Sequence, residues 1–195
     1  MESKVSLKWS LFVIIFVGSL LLIIVSFFPN NNKKDDFIES NILLKETNFD
    51  IPIDFKIPII NIEAKIQEVG LTKEGAMDIP KNPLDVAWFS LGTRPGNIGS
   101  AVVAGHSGWK DNIPAVFDDL YKLKIGDKIF IKDRKGNKII FIVRKIEMYN
   151  QNADTTDIFV SNDGLSHLNL ITCEGIWDEK EKGRPNRIVV FTDRE

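Results

Sequence analysis

The apolar positions of this chain follow two different patterns. From Trp9 to Phe28 ("WSLFVIIFVGSLLLIIVSFF") they form one uncharged run, close to the roughly 20 residues a helix needs to cross the hydrocarbon core of a bilayer. A cleaved secretory signal has a shorter apolar region, about 7 to 15 residues, with a small-residue cleavage site behind it. Here "SFFPNNNKKDD" follows, with neither such a site nor a lipobox cysteine. The run therefore predicts a transmembrane helix over 9–28.

Beyond the helix the pattern changes twice. Residues 29–50 ("PNNNKKDDFIESNILLKETNFD" from Pro29) carry charge of both signs without a sustained apolar period, and read as a stalk with a short helical turn around Asp36 to Lys45. From about residue 51 the signals are short runs rich in β-branched residues, bounded by Gly, Pro, Asn and Asp. The first, Ile53 to Val69, has Pro52 just before it and Pro58 within it, and these confine it to an edge or a bulge. The others are Val86 to Phe89, Ser100 to Gly105, Lys128 to Lys132, Lys138 to Met148, His167 to Thr172 and Arg187 to Thr192. Lys135-Gly136-Asn137 predicts a hairpin turn. One patch, "IPAVFDDLYKLK", predicts a helix, with Pro114 in its first turn and Val116, Leu120 and Leu123 on one apolar face. Roughly eight strands with little helix predict an all-β closed barrel or sandwich.

The predicted organisation is a tail over 1–8, the membrane helix over 9–28, the stalk over 29–50 and one folded domain over 51–195. Lys4 and Lys8 before the helix balance Lys33 and Lys34 after it, so the positive-inside count is a tie. The short tail and the late folded part favour a cytoplasmic N-terminus with the domain outside the cell. Composition adds one exclusion. At 44% hydrophobic, 27% charged and a formal net charge of −2, the chain is globular and lacks the basic excess that favours a nucleic-acid partner.

Outside the cytoplasm the cysteine count matters. The chain has one cysteine, Cys173. In an oxidising compartment a lone thiol is an intermolecular bridge or a free reactive group; it also reads as a small buried hydrophobe. A nucleophilic thiol needs a nearby histidine or another cation, since its ordinary pKa near 8.5 leaves only a few per cent ionised at pH 7. There are two histidines. His167 lies six residues upstream on the same predicted strand, roughly 20 Å away at about 3.3 Å per residue, out of reach of the thiol. That leaves His106, in the loop after the run "SAVVAG", either as the thiol's partner or as a turn residue. Arg187, at the start of the last strand, reads either as a solvated charge or as an oxyanion stabiliser with fixed charge and several donors.

Taken together, "AVVAGH", "LITC" and an arginine opening the terminal strand "RIVVF" resemble the sortase family, membrane-anchored cysteine transpeptidases of mostly Gram-positive bacteria. The resemblance covers about residues 50 to 195. It implies an eight-stranded β-barrel with one or two short helices, Cys173 as nucleophile, His106 as acid and base, and Arg187 as the group that positions substrate and steadies the oxyanion. Arg184, in the charged loop "DEKEKGR", is expected to be solvated. By the same resemblance Thr172 contributes to the oxyanion site and Ala104 lines the groove for the substrate's sorting signal. Asn169 stands where the family often has threonine.

The implied reaction cleaves a short LPxTG-like motif of secreted proteins through a thioacyl enzyme and passes the chain to an amine, from a cell-wall precursor or a pilin lysine. No cofactor is implied. The scattered Cys and His lack zinc-ligand spacing, and loop carboxylates such as Asp154 and Asp157 read as calcium ligands or as turn residues. Two rival readings remain at this stage: a cysteine peptidase with water as acceptor, and a non-catalytic, membrane-tethered β-barrel that binds a partner.

Overall fold

The computed structural model describes residues 49–109, 113–150, 152–176, 178–179 and 183–195. The expected tail, the membrane helix and all but the last two residues of the stalk lie outside these. Among the described residues no helix is long and apolar enough to cross a membrane.

The described chain closes into a barrel of eight strands: β1 (Pro52–Ile57), β2 (Ile62–Val69), β3 (Val86–Phe89), β4 (Gly99–Gly105), β5 (Lys128–Asp133), β6 (Lys138–Asn150), β7 (Ser166–Glu174) and β8 (Asn186–Arg194). The order around the barrel is β1-β2-β3-β4-β7-β8-β6-β5. Most neighbours run antiparallel, whereas β2 with β3 and β4 with β7 are parallel. Closure removes the sheet edges that would template aggregation. It also answers where the prolines go: Pro52 opens β1 beside a register shift, and Pro58 starts a 3-10 turn, Pro58–Ile60, that separates β1 from β2. The expected single run Ile53 to Val69 is thus a hairpin.

Period-2 alternation sorts the side chains into two apolar bodies. Leu168 and Leu170 of β7, Ile188 and Val190 of β8, and Ala101 and Val103 of β4 face the barrel interior, where they pack with Phe55, Phe117 and Phe141. The alternate residues of these strands face outward. There Val102, Val189 and Phe191 form a second cluster with Ile158 of the one short α-helix, α1 (Thr156–Phe159). Asn169, also on the outward face of β7, donates its side-chain N–H to the Ile158 carbonyl at 2.6 Å, pinning the β6–β7 connection to the barrel wall.

The helix expected over 113–124 is instead a series of turns with one 3-10 turn at Leu120–Lys122. The reason is that its first N–H groups bond to distant carbonyls or to a side chain instead of forming a helical ladder. Val116 N–H donates to Pro83 O at 2.8 Å, Phe117 N–H to His106 O at 2.9 Å, and Ala115 N–H to Asp118 Oδ2 at 2.8 Å. Val116, Leu120 and Leu123 are nevertheless buried in the interior cluster, so the apolar face was read correctly and the backbone ladder was not. The hairpin at Lys135-Gly136-Asn137 forms as expected, with Asp133 N–H donating to Asn137 O at 3.0 Å.

Candidate active site

The ends of β4 and β7 meet because the two strands run parallel and in register, Ala104 beside Ile171. One step on, the Thr172 hydroxyl donates to the Gly105 carbonyl at 2.8 Å. Another step brings the chain to His106 on one side and Cys173 on the other. Gly105 is required at this junction, because a Cβ there would come within 2.5 Å of the Phe117 ring and 2.8 Å of the Val116 side chain. Close packing under the strand end thus explains the glycine before His106.

Cys173 is free and half-buried. Directly across the antiparallel β7–β8 ladder stands Arg187, and across the β6–β8 ladder from Arg187 stands Tyr149. Paired residues in a ladder project from the same face, so thiol, guanidinium and phenol form one row on the outward face, the face that carries the second apolar cluster. Arg187 is oriented by its own backbone neighbourhood: one terminal nitrogen, Nη1, donates to both Arg184 O and Asn186 O at 2.8 Å. Tyr149 donates its hydroxyl to Asp157 of α1 at 2.5 Å. Burial, then the Asp157 and Glu147 carboxylates, push its proton affinity well above the usual phenol range, so it remains a neutral donor.

His106 is half-buried in the first loop position after β4. Its Nε2 lies 2.7 Å from the Pro80 carbonyl oxygen. A carbonyl only accepts, so Nε2 carries a proton and Nδ1 is the nitrogen left to exchange one. Trp109 packs edge-on against the imidazole, ring centroids 4.5 Å apart. Ser107, the next residue, donates its hydroxyl to the Cys173 carbonyl, which ties the histidine loop directly to the strand that carries Cys173.

Of the residues singled out in the sequence, His106, Cys173, Arg187 and Ala104 lie on or next to the outward face at this junction. Thr172 points the other way: it is buried and its hydroxyl is committed to Gly105 O, which leaves only its backbone on the Cys173 side. His167 sits far down β7, between Asp193 (Nδ1 to Oδ1, 2.7 Å) and Asp163 (Nε2 to either oxygen, 3.0 Å). Its hydrogen bond, with those of Leu165 and Ser161, holds the Asp163 carboxyl below the usual carboxylate range. Arg184 departs from expectation. It is half-buried rather than solvated, and its Nη1 donates to Ser107 Oγ at 3.2 Å. Ser107, Tyr149 and Trp109 carried no sequence signal of their own, since their role depends on which strands become neighbours. Among the described residues no group of three or more His, Cys, Asp or Glu is placed to hold a metal.

A closed eight-stranded barrel with two parallel pairings, carrying thiol, imidazole and guanidinium at neighbouring strand ends, is a sortase-type architecture. The family model for the Sortase domain matches residues 55–195, and the chain belongs to the sortase family. Solved structures with the same fold include sortase C1 of Streptococcus agalactiae, at 24% identity and TM-score 0.56, covering 73% of this chain and 66% of that one. Sortase C-1 of Streptococcus pneumoniae aligns at 20% identity and TM-score 0.56 with the same coverages, and a pilus-related sortase C of Group B Streptococcus at 24% and 0.56, covering 77% and 69%. This chain thus spans about two thirds of the length of these structures. A search of curated proteins finds no match.

Proposed function

We propose that this protein is a cysteine transpeptidase that acts on a short LPxTG-like sorting motif. The observation that carries the reading is the row formed by Cys173 and Arg187 across the β7–β8 ladder, with His106 at the adjoining end of β4. Sortases are, as a family, cysteine transpeptidases, and the family assignment supports the reaction type.

In the reaction, the Cys173 thiolate attacks the carbonyl carbon of the scissile peptide bond and the carbonyl electrons move onto oxygen. Arg187 stabilises that oxyanion; its remaining N–H donors are available because Nη1 alone serves the two backbone carbonyls. Collapse breaks the C–N bond, the proton that Nδ1 of His106 took from the Cys173 thiol passes to the departing amine, and a thioester to Cys173 remains. An incoming amine then attacks the thioester, loses a proton to His106 and leaves with the acyl chain. The free energy of the first amide is kept in the thioester, so no nucleotide is needed.

Ala104, on the outward face of β4, lines the groove where the sorting signal lies, and the Thr172–Cys173 backbone contributes to the oxyanion site. The donor is a secreted protein with a C-terminal sorting signal. The acceptor is a cell-wall precursor or a pilin lysine. The run Trp9 to Phe28 anchors the enzyme in the cell membrane with its N-terminus in the cytoplasm and its barrel outside, where both substrates emerge. The reaction requires no cofactor. The test is to incubate the enzyme with a sorting-motif peptide with and without an added amine such as triglycine or a lysine peptide: a ligated product that grows with amine at the expense of hydrolysis is expected, and cleavage that amine never diverts identifies a peptidase instead.

A further inference from the structure

Four contacts around the candidate site close into a ring. Cys173 faces Arg187 across β7–β8. Arg187 Nη1 donates to Arg184 O at 2.8 Å. Arg184 Nη1 donates to Ser107 Oγ at 3.2 Å. Ser107 donates its own hydroxyl proton to the Cys173 carbonyl. Ser107 is in turn the residue that follows His106, so the ring passes through or beside all three groups assigned to the reaction.

The donor and acceptor directions are consistent throughout. A serine hydroxyl has one proton and two lone pairs; its proton goes to the Cys173 carbonyl and a lone pair receives Arg184. A cationic donor on the oxygen polarises the O–H and strengthens the bond it makes. The loop is also shaped to admit the guanidinium. Gly108 has φ +63°, and a Cβ there would stand 2.1 Å from Arg184 Nη2, so any larger residue would displace Arg184. Asp118 fixes the same turn from below, accepting from Gly108 N–H and Ala115 N–H.

We propose that Ser107 and Arg184 are positioning residues that lock the strand end bearing Cys173 to the loop bearing His106 and, through the Arg184 carbonyl, orient Arg187. This rests on the transpeptidase reading for its catalytic consequence. Ser107 and Arg184 touch no reacting atom; they hold the nucleophile and the acid–base group in one frame. Misplacement of reacting groups by about 1 Å costs on the order of 100-fold, so a clamp of this kind acts on kcat with little effect on peptide binding.

The test compares the full chain in detergent with Ser107→Ala, Ser107→Thr, Arg184→Ala and the Ser107→Ala/Arg184→Ala double variant. Each is assayed for kcat and KM of peptide acylation, for thermal stability, and for the rate at which iodoacetamide alkylates Cys173, which needs no peptide. The clamp predicts that Ser107→Ala and Arg184→Ala each lower kcat about tenfold or more with KM within about twofold, and that the double variant is little worse than the worse single, because both break one ring. It predicts near-normal kcat in Ser107→Thr, which keeps the hydroxyl, and slower alkylation in both alanine variants. Normal kcat and alkylation in the alanine variants, strictly additive losses, or losses that follow the melting temperature alone would each overturn it. If the wild-type chain acylates with no peptide, the transpeptidase reading fails by itself, and the alkylation rates still decide the clamp.

Discussion

Arg187 stands between Cys173 and Tyr149 in one cross-strand row, directly opposite the thiol on β7 and the phenol on β6. Its Nη1 is held by the carbonyls of Arg184 and Asn186. The guanidinium therefore cannot shift without breaking two hydrogen bonds, and because Nη1 alone makes both, its other N–H groups stay available. Replacing Arg187 with alanine is expected to lower the acylation rate about 10²- to 10³-fold. Lysine should restore only part of the rate, since an ammonium that keeps both carbonyls has one N–H left for the oxyanion where the guanidinium has several in a fixed plane. Single-turnover acylation followed by intact mass checks both variants.

His106 keeps its Nε2 proton on the Pro80 carbonyl and offers Nδ1 for exchange. In the proposed mechanism, loss of the imidazole removes the acid that protonates the leaving amine. His106→Ala is expected to slow acylation by about 10²- to 10⁴-fold and to slow alkylation of Cys173 as well, because the thiol loses its proton acceptor. The pH–rate profile of the variant should lose the limb that belongs to the imidazole, and a profile unchanged in shape would assign the acid to another group.

The hairpin between β5 and β6 is tied by Asp133, a wholly buried carboxylate. It accepts from Asp50 N–H at 2.9 Å, Asn137 N–H at 2.8 Å and the Asn137 side-chain N–H at 2.7 Å. Burial pushes its proton affinity up, but these hydrogen bonds outweigh burial and hold the carboxyl below its ordinary value. A carboxyl that is harder to protonate when folded stabilises the fold fully above its unfolded value near 3.9, and this contribution disappears as pH falls through the lower folded value. Asp163 behaves likewise, lowered chiefly by His167. Acid unfolding should therefore steepen below about pH 4, and the Asp133→Asn variant should lose part of that slope. Asp133→Ala should cost about 1 to 3 kcal/mol by leaving donors unpaired, a fall of roughly 2 to 4 °C in melting temperature per kcal/mol for a domain of this size.

Much of the barrel was legible in the sequence because a half-buried strand announces itself by β-branched content and Gly or Asn punctuation, and Val86 to Phe89 needed no correction at either end. Cys173 and Arg187 drew attention through the resemblance carried by "LITC" and "RIVVF", and the structure sets the two opposite each other in the β7–β8 ladder. Other features were not legible. The turns over 113–124 depend on carbonyls of Pro83 and His106, which no local period reveals. The short helix α1 is held by Asn169 from another strand, so a loop reading was natural there. The burial of Arg184 against Ser107 follows from the parallel pairing of β4 with β7, and parallel partners far apart in sequence leave no local mark.

The anchor is tested separately from the site. Residues 9–28 lie outside the described chain, and the reading rests on their length and lack of charge. The full chain should stay with membranes through an alkaline carbonate wash, whereas a chain lacking 1–28 should be released. Protease added to intact cells should reach the barrel of the full chain.

The central claim is that Cys173 forms a thioester with the substrate. The direct measurement is the intact mass of the full chain after incubation with a pool of LPxTG-like peptides and no amine, beside Cys173→Ala. The account predicts an adduct equal to the N-terminal part of one peptide, less the departed amine, present only with the thiol. If every peptide leaves the mass unchanged while iodoacetamide also fails to modify Cys173, the thiol is no nucleophile and the protein acts by binding alone.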